Sequence, residues 1–144
     1  MTDHRVADPT TIDARGRRKA YRPMPAAKRR RALEAAIEAY ERGDYFEAHE
    51  LLEPAWLGTA DRAERELYAG IIKLAAAYVH DVRGNPEGRT KNLRGARDRI
   101  AAGASFGPDV GIDPAALLAA IDERLADDRS ARRSPPALCG PSVR

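Results

Sequence analysis

Asp61-Arg62-Ala63-Glu64-Arg65-Glu66-Leu67-Tyr68-Ala69-Gly70-Ile71-Ile72-Lys73-Leu74-Ala75-Ala76-Ala77-Tyr78-Val79-His80-Asp81-Val82-Arg83-Gly84 is the stretch that decides the fold. At 100° per residue, Leu67, Ile71, Leu74, Ala75, Tyr78, Val79 and Val82 cover one broad apolar arc. Between Ala69 and His80 the one formally charged residue is Lys73, and Ala69, Ala76 and Ala77 stand on the other side. Asp61 with Glu64 signals the helix start, and Gly84 stops it after about 22 residues, roughly 33 Å. A helix that long and that apolar is expected at the centre of a bundle. Lys73 and His80, two turns apart, are then expected to face a neighbouring helix and not open water.

Outward from this helix, four more can be read from their ends. Pro25–Arg42 carries Leu33, Ala36, Ile37 and Tyr40 on one stripe and stops at Gly43. Asp44 with Glu47 has capping-box spacing and opens a second helix through Trp56, closed by Gly58. Pro54 lies inside that helix, so a kink or a break is expected before its last turn. Asn85-Pro86 and Asp113-Pro114 read as N-cap and first helical residue of helices over Pro86–Ala102 and Pro114–Asp127. No window alternates with period two, so no strand is expected. The predicted architecture is all-α: a compact array of about five helices built from antiparallel helical hairpins.

The 144 residues suffice for one domain. Charge divides them. Residues 1–31 carry a net +7, residues 128–144 a net +3, and the body between them a net −7, within a total of +3. Residues 1–24 are expected to be a disordered basic arm, 25–127 the helical domain, and 128–144 a disordered Pro/Arg-rich tail. There is no apolar run of transmembrane length, no secretory leader is expected from the charged first residues, and the single cysteine, Cys139, excludes a disulfide framework. A soluble cytoplasmic protein without a membrane partner is the expectation.

The second helix places ionisable groups against apolar ones. Tyr45, His49, Leu52 and Trp56 form a narrow stripe, Glu53 lies beside it, and Phe46 and Glu50 lie on its flank. Burying charge without a partner costs several kcal/mol. Packing against the third helix is therefore expected to bring Glu50 or Glu53 to Lys73, and an imidazole to a carboxylate.

These residues also resemble a family. Gly43-Asp44-Tyr45-Phe46-Glu47-Ala48-His49-Glu50-Leu51-Leu52-Glu53, then Trp56, then Gly70 to His80, then Gly84-Asn85 and Gly88, are similar to the small helical proteins grouped as domain of unknown function 309. The resemblance covers about residues 30–102. It implies an all-α array of helical hairpins and assigns no activity. Its motif residues fall on Glu47, His49, Glu50, Glu53, Trp56, His80 and Asn85. Lys73 stands where the family more often has Gln, which would turn a neutral hydrogen bond into a salt bridge, and Pro54 is unusual.

Three function classes follow. The first is a binding or interaction module, with a candidate cluster of Glu47, His49, Glu50, Glu53, Trp56, Lys73, His80 and Asn85. Its partner is open, and a homodimer through a helical hairpin is one form. The second is a metal-dependent hydrolase, with a divalent metal held by His49, Glu50, Glu53 and His80. The spacing His49-Glu50-Leu51-Leu52-Glu53 is H-E-x-x-E and fails the zinc-protease pattern. A metal-free version finds no Ser or Cys nucleophile beside His49. The third is an RNA-binding module, with weak phosphate contact through the basic ends and Arg89, Lys91, Arg94 and Arg97 of the fourth helix. Against all three stands a hydrogen-bonded network that only fixes helix register.

Overall fold

The computed structural model describes residues 10–12, 18–127 and 134–139. Five helices form the domain: α1 (Ala26–Glu41), α2 (Tyr45–Leu57), α3 (Arg62–Val82), α4 (Pro86–Ala102) and α5 (Pro114–Ala126). Their ends follow the local signals. Asp44, Asp61, Asn85 and Asp113 each accept, through the side chain, the backbone N–H three residues on. Gly43 and Gly84 take φ of 87° and 73°, which lets the chain turn back after α1 and α3. The expected break at Pro54 does not occur, and α2 runs on to Leu57.

α3 is central. It packs most extensively on α4 and then on α2, while α1 covers α2 and α5 covers α4. Leu67, Ile71, Leu74, Ala75 and Tyr78 of α3 meet Leu33, Ala36, Ala39 and Tyr40 of α1, Leu52 of α2, Leu93 and Ile100 of α4 and Ile121 of α5 in one core. Gly70 brings α4 in closely: a Cβ there would lie 2.5 Å from the Ile100 side chain and 2.9 Å from its backbone nitrogen. A 3-10 helix, Ala104–Val110, joins α4 to α5, a connection the sequence pattern did not reveal. Val82, expected on the core arc, is instead 74% exposed, because it lies in the last turn of α3, where the covering helices have ended.

Three expectations are corrected outside the helices. A short antiparallel pair, β1 (Thr10–Ile12) with β2 (Arg18–Ala20), sets Thr10 opposite Ala20 and Ile12 opposite Arg18. Three-residue strands are too short for alternation to show. Residues 21–24 are not loose, since the Arg22 and Met24 N–H groups donate to the carbonyls of Leu57 and Gly58. In the tail, residues 134–139 lie on the domain and Leu138 is 2% exposed. Proline lowers the entropy lost on ordering such a segment, and a single leucine supplies apolar area for the core. The rest of the expected arm and tail lies outside the described residues.

Candidate functional site

The residues expected to form one cluster occupy three places. On the outer face of α2, Glu47 is exposed, 3.8 Å from Arg42. The His49 Nδ1 lies 3.3 Å from the Glu50 carboxylate, and its ring stacks on Phe46 with centroids 6.4 Å apart. Glu53 and Trp56 are half-buried along the same helix, and Trp56 packs on the core. Lys73 is elsewhere. Its aliphatic stem lies over Gly95 of α4, where a Cβ would sit 2.9 Å from the Lys73 Cδ.

His80 and Asn85 form the third place. Asn85 uses its carbonyl oxygen to accept the Gly88 N–H at 3.1 Å, so its amide nitrogen donates to His80 Nδ1, also at 3.1 Å. A neutral His80 ring then carries its proton on Nε2. Gly88 belongs to the same lock, because a Cβ on it would lie 2.6 Å from His80 Nδ1. His80, Gly84, Asn85 and Gly88 thus fix the α3–α4 turn.

The expected meeting of Lys73 with Glu50 or Glu53 therefore does not occur, and helical geometry gives the reason. Tyr78 faces α2, its ring 5.7 Å from that of Tyr45. Lys73, five residues earlier, is rotated about 140° from it, and His80 about 160°. Both are carried to the α4 side or outward. Among the described residues no group of three His, Cys, Asp or Glu side chains is placed to hold a metal ion. His49, Glu50, Glu53 and His80 are not brought together.

The basic strip is also divided. Arg89 is 1% exposed and donates from Nη1 to Asp81 at 2.7 Å. It is a buried link between α4 and α3, not a phosphate contact. Arg97 is 3.2 Å from Asp122 of α5. Lys91 and Arg94 line an open hollow of about 440 Å³ on the outer face of α4, with Pro86, Glu87 and Thr90.

Two buried polar groupings were not foreseen. Glu64, read from the sequence as a helix-start signal, is 5% exposed and accepts from Arg29 Nε at 2.7 Å, Thr59 Oγ1 at 2.9 Å and Tyr68 Oη at 2.6 Å. Arg29 also donates to the Met24 carbonyl. Burial alone would raise the Glu64 carboxyl, but the bonds from Arg29, Tyr68 and Thr59 together outweigh it and hold it below the usual range. The Tyr68 phenol is pushed up, by burial first and then by its bond to Glu64. The i, i+4 spacing of Glu64 and Tyr68 was a usable signal, whereas nothing local pointed to Arg29.

The second grouping lies at the opposite end of the bundle. Tyr40, Tyr45 and Tyr78 form an aromatic floor, Tyr40 meeting Tyr45 edge-on at 5.4 Å. The Tyr40 hydroxyl donates to the Pro136 carbonyl at 2.7 Å. The Tyr78 hydroxyl is buried and has no partner among the described residues. Burial raises both phenols, that of Tyr78 to about 12.

With this geometry in place, comparison with known proteins gives two results. Residues 33–96 match the sequence model of the family described as Domain of unknown function (DUF309). The chain is 29% identical over 86 residues to the uncharacterized protein YpuF of Bacillus subtilis (strain 168), an alignment covering 60% of this chain. It spans about half, 49%, of the length of that relative. Neither description names a reaction. Among the described residues no helix is long and apolar enough to cross a membrane.

Proposed function

We propose that this chain is a protein-binding module whose partner is a second copy of itself. Contact is made by the end of the bundle where the α1–α2 turn meets the C-terminus of α3, set against the start of α1 of the other copy. One observation carries this reading: Phe46 and Val82, 58% and 74% exposed, are the large exposed hydrophobics of the described residues, and they share that end. Tyr45 against Tyr78 brings them there, since Phe46 follows Tyr45 and Val82 lies one turn beyond Tyr78. A contiguous exposed apolar patch marks a contact surface.

Charge argues for a second copy. Around Phe46 stand exposed Asp44, Glu47 and Glu50, with Arg42 beside Glu47 at 3.8 Å, while the first turns of α1 expose Lys28, Arg30 and Arg31. α1 and α2 are antiparallel, so the acidic end and the basic start lie at opposite ends of one copy. Each complements the other in a head-to-tail contact.

Sedimentation velocity over a range of protein concentrations tests this. The expected result is a mean mass that rises above that of one chain, falls with added salt, and returns to one chain in the double variant Phe46→Ser, Val82→Ser. One-chain mass at every concentration and salt rejects the reading.

A further inference from the structure

The tail segment is seated as a ligand would be. From Ser134 to Leu138 burial alternates: Pro136 and Leu138 are buried, and Ser134 and Ala137 are exposed. That is the pattern of an extended chain with every second side chain turned inward. Leu138 joins the main core. Two carbonyls two residues apart are each taken by a side chain from a different helix. Tyr40 Oη of α1 donates to Pro136, and Arg124 Nε of α5 donates to Ser134 at 2.6 Å. Pro135 and Pro136 have no N–H to offer, and the groove contributes donors. Donor side chains over an aromatic floor are the means by which proline-rich extended segments are held. The Tyr78 hydroxyl is buried and finds no acceptor among the described residues. Residues 127–133 separate α5 from Ser134. A tether that short holds the tail at an effective concentration of about a millimolar.

We propose that the groove between α1 and α5 is a binding site for an extended Pro-Pro-x-Leu segment of a partner polypeptide, and that residues Ser134–Leu138 occupy it in cis as an intramolecular competitor. The site includes neither Phe46 nor Val82, and its test leaves those residues unchanged.

The probe is a fluorescent synthetic peptide with the sequence of Arg132 to Leu138, titrated by anisotropy into the full chain and into its Leu138→Asp variant. The variant unseats the tail and keeps the groove. The expected result is at least tenfold tighter binding by Leu138→Asp. Adding Tyr40→Phe should weaken that binding threefold or more, and a probe carrying Asp in place of leucine should not bind. Equal binding by the full chain and a folded Leu138→Asp variant overturns the proposal.

Hydrogen exchange on the unmodified chain keeps the question decidable if Leu138→Asp does not fold. A displaceable tail exchanges the Ala137 and Leu138 amides at least a hundredfold faster than Ile71 and Leu74, and faster still with excess peptide. Protection equal to that of Ile71 and Leu74 makes the tail an inseparable part of the core. Protection that rises with protein concentration places it in a second copy. Either result overturns the proposal.

Discussion

Arg29 and Glu64, 35 residues apart in the chain, meet in a two-pronged ion pair, with Nε 2.7 Å from one carboxylate oxygen and Nη2 3.3 Å from the other. The pair ties the start of α1 to the start of α3, and Thr59 and Tyr68 complete the carboxylate's bonding.

This relationship sets an acid limit on stability. The folded Glu64 carboxyl lies below its ordinary value, and an unfolded glutamate titrates near about 4.3. The folded state therefore binds the proton less well than the unfolded one. The contribution is complete above roughly pH 5 and is lost as pH falls through the folded value. Urea unfolding across this range should show a falling acid limb that Glu64→Gln flattens. Glu64→Ala, which strands the Arg29 guanidinium, should cost about 3 kcal/mol.

Asp81 and Arg89 make the second such pair, and Arg89 is the more deeply buried partner. Asp81→Ala should destabilise by about 3 kcal/mol, since it removes the carboxylate that a buried guanidinium is paired with. Lys91→Ala and Arg94→Ala on the exposed face of the same helix should stay within about 0.5 kcal/mol of the unmodified chain. Denaturant midpoints separate the two classes, and equal costs for all three would contradict the assignment.

Two of the buried tyrosines predict opposite signs for one substitution. Tyr40→Phe removes the bond to the Pro136 carbonyl and should lower stability by about 1 kcal/mol. Tyr78→Phe removes a buried hydroxyl that has no partner among the described residues and should raise it by about 1 kcal/mol. Thermal unfolding of both variants checks the pair together.

Glycine in helices gives a further contrast. Gly70→Ala drives a methyl group against Ile100 backbone and should cost about 1–3 kcal/mol, more than the gain in helix propensity. Gly95→Ala meets the Lys73 Cδ, part of a flexible stem that can move aside. It should be neutral or stabilise by up to about 1 kcal/mol.

Much of the fold was legible because helix limits are set locally. Asp44, Asp61, Asn85 and Asp113 sit at the N-caps their spacing indicated, and Gly43 and Gly84 turn the chain where a left-handed residue was required. Motif residues were legible as positions, not as a site. His80, Asn85 and Gly88 share one turn because all lie within nine residues of one another. His49 and Lys73 belong to different helices, and their separation depends on the rotation of α3 about its axis.

The sequence by itself determined the helices, their ends and the central place of α3, because hydrophobic period and capping act over three to seven residues. Only the tertiary structure decided which polar groups are buried together. Arg29 with Glu64 and Tyr40 with Pro136 join positions 35 and 96 residues apart. Whether such groups meet depends on how the helices pack and rotate against one another, and the buried partner then sets their charge and bonding. The same packing turned Arg89 inward and left Phe46 and Val82 in solvent.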